Sequence, residues 1–174
     1  MIDFSLEGKN ILVVGSSKGL GEALSNYLYE INVNVIGIAR GLSNLPFEQY
    51  QIDITKTNDV KRFIDILRSK CIYIDGLVLN SAISSPPKED NEKSNLECNI
   101  QSFSEFEKII DVNISSIYNL ICELAPQLSE GSSLVAVSSI GSKIGFPGNP
   151  AYQASKAALN SLMRALSVDL APRG

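Results

Sequence analysis

Short apolar runs alternate with amphipathic stretches along this chain, and that alternation leaves few folds open to it. Asn10–Val14 (NILVV) is a continuous apolar run stopped by Gly15, as expected of a strand buried on both faces. Leu20, Ala23, Leu24, Tyr27, Leu28 and Ile31 then recur at helical spacing on one face. Asn34–Ala39 (NVIGIA), Tyr50–Ile54 (YQIDI), Ile74–Asn80 (IDGLVLN) and Ser133–Ser138 (SLVAVS) read as four further strands. Val60, Phe63, Ile64 and Leu67 mark a helix between Thr57 and Ser69. Strands alternating with helices imply right-handed crossovers and a parallel sheet covered on both faces. The expected architecture is α/β, a doubly wound parallel sheet of strand order 3-2-1-4-5, with residues 1–174 as one domain. Ser84–Asn99 is the one polar, proline-containing stretch and reads as an exposed loop, either a solvated insertion or the rim of a substrate site.

Composition removes whole classes of chemistry. The chain contains no histidine, which excludes Ser-His-Asp and Cys-His catalysis and most zinc sites, so no metal site is expected. The net charge of -4 leaves no basic stripe to neutralise phosphates, so nucleic acid is not an expected partner. No apolar run approaches the roughly 18 residues that would span a bilayer, and no membrane partner is expected. Cys71, Cys98 and Cys122 form no CxxC pair and, with no signal peptide, point to reduced thiols in the cytoplasm.

Gly15-Ser-Ser-Lys-Gly19-Leu-Gly21 joins the first strand to the first helix. Glycines at that junction let the backbone turn sharply and approach a pyrophosphate, which rests on the free N–H groups opening the helix. The loop therefore nominates Gly15, Ser17, Lys18, Gly19, Leu20 and Gly21 as a dinucleotide cradle. A fold that selects NAD usually carries an acidic residue after the second strand, yet none occurs between Ile31 and Phe47. Arg40 stands there instead, with Lys18 in the loop; two cations suit the extra phosphate of NADP, which is favoured over NAD. The alternative is two solvated surface cations.

At the other end, Phe106, Ile110, Asn113, Ile117, Leu120 and Leu124 fall on one face of a long helix, so Asn113 is a polar side chain on an apolar stripe and requires partners. Ser139 ends the fifth strand at the edge where such sheets bind ligands, and thirteen residues later Tyr152 opens a helix, with Lys156 on the same face one turn on. A phenol ionises near pH 10, so activating one at neutrality takes roughly 4 kcal/mol, to be supplied by one cation in a partly desolvated site, helped by the cationic nicotinamide of an oxidised cofactor.

The glycine spacing GxxxGxG, Ser139, and the run Tyr152-Gln-Ala-Ser-Lys156-Ala-Ala-Leu together resemble the short-chain dehydrogenase/reductase family, in its compact single-domain form with a Rossmann-like fold, and are similar to 3-oxoacyl-carrier-protein reductases. The resemblance implies hydride transfer between a nicotinamide and a carbonyl or alcohol substrate. Tyr152 would exchange the proton, Ser139 would hold the carbonyl oxygen, and Lys156 would favour the ionised phenol and bind the nicotinamide ribose. Asn113 would hold a water linking Lys156 to solvent. It assigns Asp53 to the adenine amino group, with the backbone of Ile54 beside it; a helix cap near Thr57 is the alternative for Asp53. Asn80-Ser-Ala82-Ile83 occupies the place of the family's NNAG stretch; Asn80 and Ala82 match, and Ile83 stands where a glycine is usual. The resemblance further implies a homo-oligomer through helices at 105–128 and 151–170, where Ala154, Ala158 and Ala165 would permit close contact. Family members continue into sixth and seventh strands, which this chain lacks. The fifth strand is therefore expected to be a bare edge, and these residues to bind NADP weakly and turn over poorly.

Overall fold

A computed structural model describes residues 5–84 and 101–174; nearly all of the polar stretch from Ser84 to Asn99, including Cys98, lies outside them. Five strands form one parallel sheet in the order β3-β2-β1-β4-β5. The central strand β1 (Asn10–Val14) lies between β2 (Asn34–Ala39) and β4 (Ile74–Leu79), with Val13 opposite both Gly37 and Val78. β3 (Glu48–Gln51) pairs outside β2, and β5 (Leu128–Ala136) outside β4.

The unbroken apolar run of β1 follows from its double burial. Leu12 and Val14 enter a core built with Val60, Phe63, Ile64 and Leu67 of α2 (Thr57–Ser69), Leu120 and Leu124 of α4 (Ser116–Leu124), and Leu159 of α5 (Pro150–Asp169). Ile11 and Val13 face the other way, against Leu28 of α1 (Gly19–Glu30), Val35 and Phe47. Each fully buried Leu or Phe here contributes about 1.5–3 kcal/mol. Val135 of β5, on the same face of the sheet as Val13 and Val78 but beyond the reach of α1, is 56% exposed.

Four details differ from the sequence reading. α1 presents Gly21, Ser25 and Leu28 to the sheet, with Leu24 partly buried; Leu20, Ala23, Tyr27 and Ile31, expected on the buried face, are exposed because α1 covers only the β1–β2 half of the sheet. β3 ends at Gln51, before Ile54: the Ile52 N–H still reaches Ala39 O (2.9 Å), but the chain turns at Asp53, whose Oδ1 accepts from the N–H and hydroxyl of Thr55. β5 begins at Leu128 and stops at Ala136, so Ser139 lies beyond the strand and opens a short 3₁₀ turn at Ile140–Ser142. Finally, the helix through 106–124 is not continuous. A π-helical turn at Asp111–Ser115 separates α3 (Phe103–Ile110) from α4 and rotates α3, so that Ile109 is buried and Phe106 is exposed.

Candidate active site

Because all five strands are parallel, their carboxyl ends deliver Gly15, Arg40, Asp53, Asn80 and Ser139 to one edge of the sheet, where chains of this topology bind ligands. A groove of about 800 Å³ runs along that edge, lined by Gly15, Ser17, Lys18, Arg40, Asp53, Ile54, Asn80 and Ala82, among others. Its floor is tight. Gly15 has φ of +86°, and a Cβ there would stand 3.0 Å from the Ser81 backbone; a Cβ on Gly21 would meet Gly15 O at 2.0 Å. Asn80 Nδ2 donates to Gly15 O (3.1 Å), and Ser43 Oγ donates to Ser17 O (2.9 Å), so both neighbouring loops brace the glycine turn. Lys18, at the start of α1, caps no N–H with its side chain, which leaves the first turn of the helix open to an anion. These features fit an elongated, phosphate-bearing ligand such as a dinucleotide. Gly19, Leu20 and Gly21 form the loop and helix start without lining the groove, and the Leu20 side chain is 61% exposed. Gly21→Ala is expected to lower the unfolding free energy by about 1–3 kcal/mol, read in urea denaturation, because a backbone oxygen must move to admit the methyl group; an unchanged midpoint would mean that the loop has slack.

The electrostatics of the groove are set by Arg40, Lys18 and Asp53. Burial pushes the Asp53 carboxyl up, but the hydrogen bonds from Thr55 and the charges of Lys56 and Arg40 outweigh it and hold the group below its usual range. Its side chain bonds Thr55 and not the first turn of α2.

Lys156 is only 3% exposed, and its Nζ donates to Val137 O at 2.7 Å, which ties α5 to the chain leaving β5. Burial holds its ammonium below the ordinary lysine range. The Tyr152 ring lies one turn earlier, with its centroid 5.7 Å from that nitrogen. Ser139 Oγ accepts from the Gly141 N–H (3.1 Å), which leaves its own hydrogen free to be donated. Asn113, in the π-helical turn and 2% exposed, makes three hydrogen bonds. It accepts from the Ile83 N–H (2.8 Å) and donates to Ile83 O (2.9 Å) and Ser155 Oγ (3.0 Å).

Sequence reasoning missed several supporting residues. Gln101 Oε1 accepts the Ala151 N–H (2.8 Å) at the first turn of α5, and the Gln153 side chain exchanges hydrogen bonds with both backbone groups of Phe146. Ser155, buried between Tyr152 and Lys156, carried a signal that was available: a polar residue on the inward face of α5 needs a partner. Among the described residues, no group of side chains suited to a metal ion occurs, no helix is long and apolar enough to cross a membrane, and Cys71 and Cys122 are free.

Residues 9–174 match the short chain dehydrogenase family, and the chain belongs to it, among oxidoreductases. A 3-oxoacyl-acyl-carrier-protein reductase of Rickettsia felis is 29% identical over 100% of this chain and 70% of that protein. Benzil reductase ((S)-benzoin forming) of Saccharomyces cerevisiae is 34% identical over 88% of this chain and 62% of that one. The ligand-free aldohexose dehydrogenase of Thermoplasma acidophilum superposes with a TM-score of 0.85 at 28% identity, over 98% of this chain and 65% of that structure. The chain thus spans about two-thirds of the length of these relatives.

Proposed function

We propose that the protein is a cytoplasmic, NADP(H)-dependent carbonyl reductase or alcohol dehydrogenase whose residues 1–174 act as one dinucleotide-binding domain. The observation that carries this reading is Lys156: a buried ammonium, bonded to one neutral carbonyl, beneath the ring of Tyr152. Burying a cation without a carboxylate is unfavourable, and the arrangement is sensible where the charge serves a reaction.

When bound, the nicotinamide supplies the hydride donor or acceptor. Ser139 donates its free hydrogen to the substrate oxygen and stabilises charge developing there. Tyr152 gives the proton to that oxygen in reduction and takes it back in oxidation. Lys156, donating one N–H to Val137 O, keeps two N–H groups for ribose hydroxyls. We propose Asn113 as a positioning residue: both of its amide hydrogens are in use, so a relay water would have only the second lone pair of Oδ1 to bind.

Lys18 and Arg40 in the groove support NADP over NAD. Arg40→Asp is expected to weaken NADPH binding about ten- to hundredfold while sparing NADH, read by cofactor fluorescence; equal affinity of the unsubstituted protein for the two cofactors would remove the preference. The exposed alanines Ala154 and Ala158 of α5 support a homo-oligomer through helices 105–128 and 151–170, a proposal that a monomer mass in light scattering would end.

The test of function is to titrate NADPH and then add a panel of ketones. Oxidation of the cofactor supports the reductase. Binding without oxidation supports a second reading, a nucleotide-binding protein without turnover, which the uncovered face of β5 at Val135 favours.

A further inference from the structure

We infer that the substrate of this site carries an anionic oxygen group, a carboxylate or a phosphate, which Lys143 holds beside the reacting carbonyl. The inference rests on the oxidoreductase reading, because it builds outward from Ser139. A shallow cleft of about 480 Å³, separate from the dinucleotide groove, is lined by Ser138, Ser139, Ile140, Ser142, Lys143 and Asn160. Five of those six side chains offer a hydrogen-bond donor, and none is a carboxylate.

Two observations give the cleft its preference. The Lys143 ammonium makes no ion pair or hydrogen bond among the described residues, although acidic residues outnumber basic ones in the chain by 19 to 15. Ser142 Oγ donates to Ser139 O (2.6 Å) and accepts from Asn160 Nδ2 (2.8 Å), which fixes the 3₁₀ turn and leaves Asn160 a second amide hydrogen. An unpaired cation and a spare amide hydrogen beside the reacting serine together match an acceptor bearing negative charge. A neutral ketone leaves both unanswered.

The experiment compares NADPH-dependent reduction of 4-oxopentanoate with that of its methyl ester, and of dihydroxyacetone phosphate with dihydroxyacetone. In one pair at least, kcat/KM for the anion is expected to exceed that for the neutral partner about tenfold, and Lys143→Met to bring that ratio close to one while Lys143→Arg keeps most of it. The pair that responds identifies carboxylate or phosphate. Ratios near one in the unsubstituted protein, or a ratio that survives Lys143→Met, overturn the inference. A selectivity ratio of this kind is insensitive to a merely structural role for Lys143. Should none of the four compounds be reduced, the oxidoreductase reading is the one in question, and calorimetry on the NADP-saturated protein decides the anion site by itself. Saturable binding of succinate or inorganic phosphate that weakens about tenfold in Lys143→Met supports it. No binding, or equal binding by the two proteins, overturns it.

Discussion

Tyr152→Phe is expected to lower kcat by about 10²- to 10⁴-fold while NADPH binding and the melting temperature stay near those of the unsubstituted protein. The expectation follows from what the hydroxyl does not do. Among the described residues it makes no hydrogen bond, so no part of the fold leans on it, and the ring, which stays in the variant, keeps its contact with Lys156. Steady-state reduction of a ketone found in the panel, together with cofactor fluorescence, checks both halves. A kcat within tenfold of the unsubstituted value would remove Tyr152 from its role as proton donor.

Lys156→Met is expected to lower kcat about 100-fold or more and, in contrast, to raise the urea midpoint at neutral pH. The sign comes from burial. Folding disfavours the ammonium and lowers its pKa below that of the unfolded chain, so below that lowered value, where the lysine is charged in both states, the native state carries the whole desolvation penalty. As pH rises through the lowered native value toward the ordinary lysine range, the native lysine sheds its proton first and the penalty fades. The stability gained by methionine should therefore be largest below the lowered native value and shrink as pH rises toward the ordinary lysine range. Val137 O loses its donor in the variant, but Val137 is only partly buried, so water can replace the ammonium. A variant less stable at pH 7 would show that the bond to Val137 outweighs the desolvation.

Much of the fold was legible because local pattern and tertiary role coincide. β1, β2 and α2 occupy the residues that periodicity assigned them, since each is buried on the faces that its apolar residues mark. The legible parts of the site are those in which spacing carries the chemistry: the glycine turn, and Tyr152 with Lys156 on one helical turn. What stayed hidden depends on distant partners or on departures from regular geometry. Asn113 is visibly a polar residue on an apolar stripe, but its partners Ile83 and Ser155 lie 30 and 42 residues away. A π-helical turn at Asp111–Ser115 breaks the very period used to read the helix, so Phe106 was assigned to the wrong face. Leu20 and Tyr27 looked buried because an amphipathic stripe does not state how much of the sheet its helix will cover. Ser138 and Ser139 are adjacent and chemically identical; only the fold distinguishes the hydroxyl bonded to Gly141 from the one with no partner.

The Asn113 clasp has a mechanical consequence. One rigid amide grips both backbone groups of Ile83, which lines the dinucleotide groove, and with its remaining hydrogen grips Ser155, the residue before Lys156. Groove wall and proton-handling helix are therefore joined through a single short strut. Any shift of Ile83 would load the bond to Ser155 beside Lys156, so the position of the groove wall and that of the proton-handling helix are set together.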